Sequence, residues 1–234
     1  MGRRKTPTTE QLEFSGLSNW DSSLIIAGVD EVGRGALFGP VVAAAVILPD
    51  SALADLAIAG VTDSKLLSAS QRQQLAIQIC SLAVAYNISY ASVREIDRLN
   101  ILQASLLAMK RAILKLSVQP DFCLIDGNQR IPELSILQET VVKGDQKSIV
   151  IGAASILAKV WRDELLTRMA LRYPQYGFAM NKGYGTSAHL QAIRQSGITP
   201  YHRKSFSPCR LVLLENSSNC LDSELKASLK TTRR

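Results

Sequence analysis

Two adjacent carboxylates, Asp30 and Glu31, close the apolar run Ile25-Ile26-Ala27-Gly28-Val29, and the turn Gly33-Arg34-Gly35 follows almost at once. Carboxylates at the edge of a buried strand are costly unless something binds them, and a divalent cation is the simplest partner. Two further acids sit in comparable places. Asp126 ends the apolar run Phe122 to Ile125 and is followed by Gly127. Asp163 occupies the next step of a helical stripe through Ile149, Ala153, Ile156 and Val160. Oxygen ligands of this kind suit a hard cation, Mg²⁺ or Mn²⁺. Four carboxylates can hold two such ions ~3.5–4 Å apart, one activating a water and the other stabilising the leaving oxygen of an in-line displacement at phosphorus. Taken singly, each acid also fits a structural or solvated role, and Asp163 also reads as an i,i+4 partner of Lys159, worth only ~0.3–0.5 kcal/mol. Asp63 and Asp145, in polar loops beside lysines, and Asp97, in a charged helix, read as solvated or structural.

The residues that could meet an anion lie near these acids or in the second half of the chain. Gly33-Arg34-Gly35 lets backbone N–H groups approach a ligand and supplies a guanidinium, although it also reads as a plain tight turn. Lys65 precedes a helix N-terminus where a phosphate could rest, or is a solvated loop lysine. Lys182-Gly183-Tyr184-Gly185-Thr186 sets an aromatic ring in a basic loop. That ring could stack on a sugar or base, or pack over the turn. His202-Arg203-Lys204-Ser205 is a short basic loop suited to phosphate, though such runs are commonly just solvated.

These residues need a scaffold. The pattern predicts strands over Leu24–Val29, Val41–Leu48, Val84–Ala91, Phe122–Ile125 and Leu137–Val142, the first two as an antiparallel pair. Ser68-x-x-Gln71 and Ser92-x-x-Glu95 are capping boxes that open helices, the first running to about Leu82. Further helices are predicted over Ile101–Leu116, Ser148–Arg172 and Ser187–Gln195. The result is an α/β fold, a mixed five-stranded sheet with helices on both sides. Residues 1–22 read as a flexible arm and the polar tail past Glu215 as disordered.

Of the 234 residues 47% are apolar, enough for a sizeable core, and the net charge is +7. The charge is uneven: residues 143–210 carry eleven Lys/Arg against three acids, while residues 6–142 carry nine against fourteen. A polyanion could lie on the basic half while cations fill the acidic site. The same distribution fits a solvated face and two basic tails. With two histidines and four cysteines, none in a C-x-x-C pair, zinc sites and His-dependent nucleophilic triads are poorly supplied. No secretory signal is read, and no apolar run approaches the ~20 residues a bilayer needs. A reduced, cytoplasmic setting without membrane contact is therefore expected.

Five blocks, in order, make the chain resemble the type 2 ribonucleases H, the ribonuclease HII family. They are Gly28 to Gly35 with Gly39 to Ala44; Asp63-Ser64-Lys65; Ile125-Asp126-Gly127; Ala153 to Val160 with Arg162-Asp163; and Tyr176-Gly177-Phe178 with Lys182 to Thr186 and His202 to Phe206. The resemblance implies an RNase H-like fold, catalytic over residues 23–172, with a helical, basic, substrate-binding part over 173–214. It implies cleavage of RNA/DNA hybrids, and cleavage 5′ of single ribonucleotides embedded in duplex DNA, using two Mn²⁺ or Mg²⁺ ions and leaving 3′-OH and 5′-phosphate ends. By the family's motifs the metal-binding, catalytic acids would be Asp30, Glu31, Asp126 and Asp163. Gly33, Arg34 and Gly35 would read the ribose 2′-OH, Tyr184 would stack on the neighbouring deoxyribose, and Lys65, Lys182 and Arg203 would contact substrate. A monomer is the default, with replication or repair proteins as partners. Ala36, Phe38, Leu66 and Asn181 depart from the family's usual residues without removing a proposed ligand. Two rivals stay open: a non-catalytic nucleic-acid binder, and an RNase H-fold nuclease that cuts DNA.

Overall fold

The computed structural model describes residues 24–214, apart from the side chains of residues 63–65. The arm over 1–22 and the tail past 215 lie outside it. In chain order the elements are β1 (Ile26–Val32), β2 (Val41–Ile47), α1 (Asp50–Ile58), α2 (Ala69–Leu82), β3 (Ala85–Ala91), α3 (Val93–Leu99), α4 (Ile101–Leu114), β4 (Phe122–Asp126), β5 (Leu137–Val141), α5 (Gly144–Lys147), α6 (Ile149–Arg172), α7 (Phe178–Asn181) and α8 (Ser187–Ser196). Residues 207–214 form a further helix, α9. A 3₁₀ turn spans Val61–Leu66.

The five strands lie in the order β3-β2-β1-β4-β5. β1 pairs with β2, and β2 with β3, antiparallel, while β4 runs parallel to both β1 and β5. The mixed sheet and the antiparallel first pair are as the sequence predicts. Every residue of β2 is buried, because helices cover the sheet on both faces. That explains its unbroken Val/Ala/Ile composition.

Both capping boxes form. Ser68 accepts from the Gln71 N–H while the Gln71 side chain accepts from Ser68, and Ser92 and Glu95 do the same. Asn100, at φ +73°, separates α3 from α4 and caps α4 by accepting from the Gln103 N–H, so that α4 starts at Ile101 as the sequence predicts.

On one face, Ala27, Val29, Ala43, Ala45 and Ile125 pack on Ala104, Ala108, Ala112 and Ile113 of α4. On the other, Val42, Ala44 and Val46 pack on Ala153, Ile156 and Leu157 of α6, with α1 and α2 alongside. A third apolar cluster joins Leu37, Phe38 and Leu166 to Tyr176, Phe178, Ile193 and Cys209. It welds the C-terminal helices onto the second half of α6 and onto the loop after β1. None of the helices among the described residues is long and apolar enough to cross a membrane.

Candidate metal centre and nucleic-acid interface

The strand carrying the first acids is longer than the apolar run suggests. β1 continues through Asp30 and Glu31 to Val32, so both acids are held by ladder bonds to β2. The parallel register sets Val29 opposite Ile125, which brings Asp126, one residue on, abreast of Asp30. Carboxylate oxygens of Asp30, Glu31 and Asp126 all lie within 4.8 Å of one another. Asp126 is steadied from the far side, its Oδ1 accepting the Gly144 N–H at 2.6 Å. A Cβ on Gly144 would stand 2.6 Å from Ile151 Cδ1 and 3.2 Å from Asp126 Oδ1, so a side chain there would have to displace Ile151 and crowd the acid.

The electrostatics are those of a site that wants a cation. Burial pushes the Asp30 carboxyl well above the usual carboxylate range, and the charges of Glu31 and Asp126 push it further. A Ser155 side-chain hydrogen bond and the Glu31 N–H oppose this. Burial also raises Glu31, against the opposing charge and hydrogen bond of Arg34, whose Nη1 lies 3.0 Å from Glu31 Oε1. Three crowded carboxylates, of which Asp30 and Glu31 are largely desolvated, with oxygen-only donors fit a hard divalent ion.

These acids line a cavity of about 410 Å³, whose walls include Arg72, Asp145, Ser155, Lys159 and Tyr184. Asp145, which the sequence pattern leaves as solvated or structural, is not solvated. It is 8% exposed, on the short helix α5, and faces the same cavity as the three acids. Asp163 is not brought into their cluster. It accepts from Lys159 Nζ at 2.7 Å and lines a neighbouring groove with Arg72, Thr167, Arg168 and Lys182. The reason is helical phase. A seven-residue repeat drifts by about 20° per repeat on a straight helix, so the stripe from Ile149 has turned outward by position 163. Arg162 and Leu166 are the buried residues there instead. The clue to Asp145 is the pair Gly144-Asp145 wedged between the last strand and the longest helix.

The substrate-facing candidates divide. Arg34 is half exposed, beside Glu31. Gly33 stands at φ +89°, and a Cβ on it would lie 2.2 Å from Arg162 Nε, whereas Gly35 has open space around it. Tyr184 sits against this turn. Ala36 and Tyr184 form a β-bridge, Leu37 N–H donates to the Gly183 carbonyl at 2.8 Å, and the Arg162 guanidinium lies 5.5 Å from the Tyr184 ring centroid. Lys182 Nζ reaches Thr167 Oγ1 at 2.7 Å in the neighbouring groove. The side chain of Lys65 lies outside the described residues. Arg72, which the sequence reading passed over, lines both the cavity and the groove and donates to the Leu67 carbonyl.

Arg203 is placed differently from expectation. Rather than facing outward, it is wholly buried, with its Nε, Nη1 and Nη2 donating to the carbonyls of Gly39, Arg34 and Gly33 at 3.0, 2.7 and 2.7 Å. Burial pulls its pKa down to about 9, and the charge of Arg162 pulls in the same direction. His202 beside it is also buried, and Lys204 and Ser205 turn their N–H groups to Asp97. The basic tetrapeptide is therefore mostly an internal brace.

Residues 27–209 match the family model Ribonuclease HII. The chain is 62% identical over 193 residues to a ribonuclease HII of Trichodesmium erythraeum, covering 82% of this chain and 92% of that one. It is 59% identical over 194 residues to a ribonuclease HII of a Nostoc species, covering 82% and 86% respectively. Among solved structures, the ribonuclease H2 of Pyrococcus horikoshii superposes with a TM-score of 0.68 at 25% identity, covering 80% of this chain and 96% of that one.

Proposed function

This chain belongs to the ribonuclease HII family, a family of metal-dependent endoribonucleases, and we propose that it hydrolyses the RNA strand of RNA/DNA hybrids and nicks duplex DNA 5′ of single embedded ribonucleotides. The observation that carries the reading is the convergence of Asp30, Glu31 and Asp126 within 4.8 Å, in a cavity that also holds Tyr184.

Asp30, Glu31 and Asp126 would hold the divalent ions, Mn²⁺ or Mg²⁺, with Asp145 as the fourth carboxylate on the cavity wall. Bound there, such ions supply an activated water and charge neutralisation at the phosphate. The protein's own groups set the stage. Ser155 orients Asp30, Gly144 orients Asp126, and Lys159 brings a positive charge to the cavity beside the reacting phosphate. The Gly33-Arg34-Gly35 turn reads the ribose 2′-OH, the group that separates RNA from DNA at one position. The Tyr184 ring stacks on the neighbouring sugar. Residues 23–172 form the catalytic part, and 173–214 the part that carries Tyr184 and Lys182 to the substrate. Such an activity serves ribonucleotide removal during DNA replication and repair. Cys80, Cys123 and Cys209 are free thiols, consistent with a cytoplasmic setting.

The test is nicking of a duplex bearing one ribonucleotide, with Mn²⁺ or Mg²⁺, beside the same duplex in all-DNA form. The expected result is a single nick 5′ of the ribonucleotide and an intact all-DNA duplex. Binding without cutting would favour a non-catalytic role, and cutting of both would point to a DNA nuclease.

A further inference from the structure

Two cations lie beneath the turn that follows β1, and both are committed to backbone oxygen. Arg162 and Arg203 are each fully buried. Arg162 donates from Nε to the Pro40 carbonyl at 3.3 Å, from Nη1 to Lys182 at 2.9 Å and from Nη2 to Phe38 at 3.1 Å. Arg203 takes the carbonyls of Gly33, Arg34 and Gly39. Five carbonyls of residues 33–40 and one from the Tyr184 loop are thus gripped by two guanidinium forks.

Burying a cation is expensive, and folding alone does not call for two of them in one place. A pair of apolar side chains could fill the same volume. What apolar groups cannot do is fix six carbonyls in direction, and a lysine, as a point donor on a flexible stem, cannot do it either. Arg162 does more than grip. Its Nε fills the space that a Cβ on Gly33 would need, and its charged plane underlies the Tyr184 ring. One side chain therefore sets the separation between the turn and the aromatic ring.

We propose that Arg162 and Arg203 are positioning residues for ribonucleotide recognition: they hold the Gly33–Gly35 turn and the Tyr184 ring as one preformed jaw. The proposal rests on the reading of those two elements as the ribose sensor. Neither arginine touches substrate. Each acts through the backbone it holds, so the cost of ordering the turn is met in folding and not at binding.

The full chain is tested by equilibrium binding in EDTA, where no cutting occurs, to a duplex with one ribonucleotide and to its all-DNA counterpart. The variant is Arg162→Lys, which keeps the charge. The wild type is expected to prefer the ribonucleotide duplex. Arg162→Lys is expected to lose about tenfold or more of that preference, with all-DNA affinity unchanged. A purely structural role would weaken both duplexes together or leave the ratio alone. A retained preference in Arg162→Lys overturns the inference alone, while a wild type with no preference overturns the ribose-sensor reading beneath it. If Arg162→Lys fails to fold, hydrogen exchange of the wild type decides. Backbone amides of residues 33–40 equally protected with and without duplex support the jaw, and protection that appears only with duplex overturns it.

Discussion

The Nε2 atoms of His189 and His202 face each other at 3.2 Å in the buried layer behind Tyr184. The Thr199 N–H donates to His202 Nδ1 at 2.9 Å, which leaves the proton of a neutral His202 on Nε2. That proton points at His189, whose own proton then sits on Nδ1, 2.9 Å from the Tyr184 carbonyl. A single consistent tautomer pair thus ties Thr199 to the Tyr184 loop. It requires both rings to be neutral.

Acid should loosen this layer. Burial, and then the neighbouring His189, pulls His202 down to about 3 from an ordinary 6.5. The unfolded chain therefore takes up the proton first, and the stability His202 contributes is complete above its ordinary value and lost as pH falls toward 3. Between pH 7 and pH 5 the loss from this one ring is about 2 kcal/mol. Urea unfolding at the two pH values should show it, and His202→Asn should flatten the difference. Parallel slopes for wild type and variant would show that other groups carry the acid sensitivity.

Asp145 and Asp163 should behave as opposites. Asp145→Asn removes a carboxylate from the cavity wall and should weaken Mn²⁺ binding and turnover by more than about tenfold, with little change in fold. Asp163→Asn breaks a partly exposed i,i+4 pair with Lys159 and should cost only ~0.3–0.5 kcal/mol of stability, with metal binding intact. Calorimetric Mn²⁺ titration of the two variants, with Asp126→Asn as the inactive reference, separates them. Equal loss in both would return Asp163 to the metal site.

The two glycines of the turn should also part company. Gly33→Ala places a methyl on Arg162 and demands a positive φ of alanine. It should destabilise by about 1–3 kcal/mol and blunt ribonucleotide preference. Gly35→Ala meets nothing within 4 Å and should melt like wild type. Thermal melts of the two variants check this directly, and equal melting temperatures would contradict the packing of Gly33 on Arg162.

Glu95 offers a pH test on the far side of the sheet. The side-chain hydrogen bond from Arg111 is the main reason its carboxyl falls to about 2, with Nη2 to Oε1 at 2.6 Å. A lowered carboxyl stabilises the fold above its ordinary value near 4.5 and loses that contribution as pH drops through 2. Allowing for solvent screening of the exposed guanidinium, Glu95→Gln should cost about 1 kcal/mol at neutral pH. The gap between the two proteins should narrow as pH falls below about 4.5 and close near pH 2.

The sheet is legible in the sequence because short apolar runs, one alternating stretch and two capping boxes are local signals. Ser68-x-x-Gln71 and Ser92-x-x-Glu95 form as written. Asp30, Glu31 and Asp126 are legible because each interrupts or ends an apolar run. What the sequence reading misses is set by phase and by distant contact. Whether Asp163 or Arg162 faces inward depends on tens of degrees of helix rotation. Arg203 sits in a basic string that looks solvated, and only the fold shows its donors meeting the carbonyls of Gly33, Arg34 and Gly39. Asp145 is hidden by its lysine neighbours, Lys143 and Lys147, in a segment too short to show periodicity.

Helix α6 carries Ser155, which braces Asp30, and seven residues later Arg162, which braces Gly33 and Tyr184. At 1.5 Å of rise per residue those two positions are about 10 Å apart along one stiff rod. The rod is thus a gauge block between the acidic cluster and the glycine turn, fixed by residue count. Inserting a single residue between Ser155 and Arg162 would swing everything downstream by about 100°, and on the proposed function it should uncouple ribonucleotide preference from cleavage.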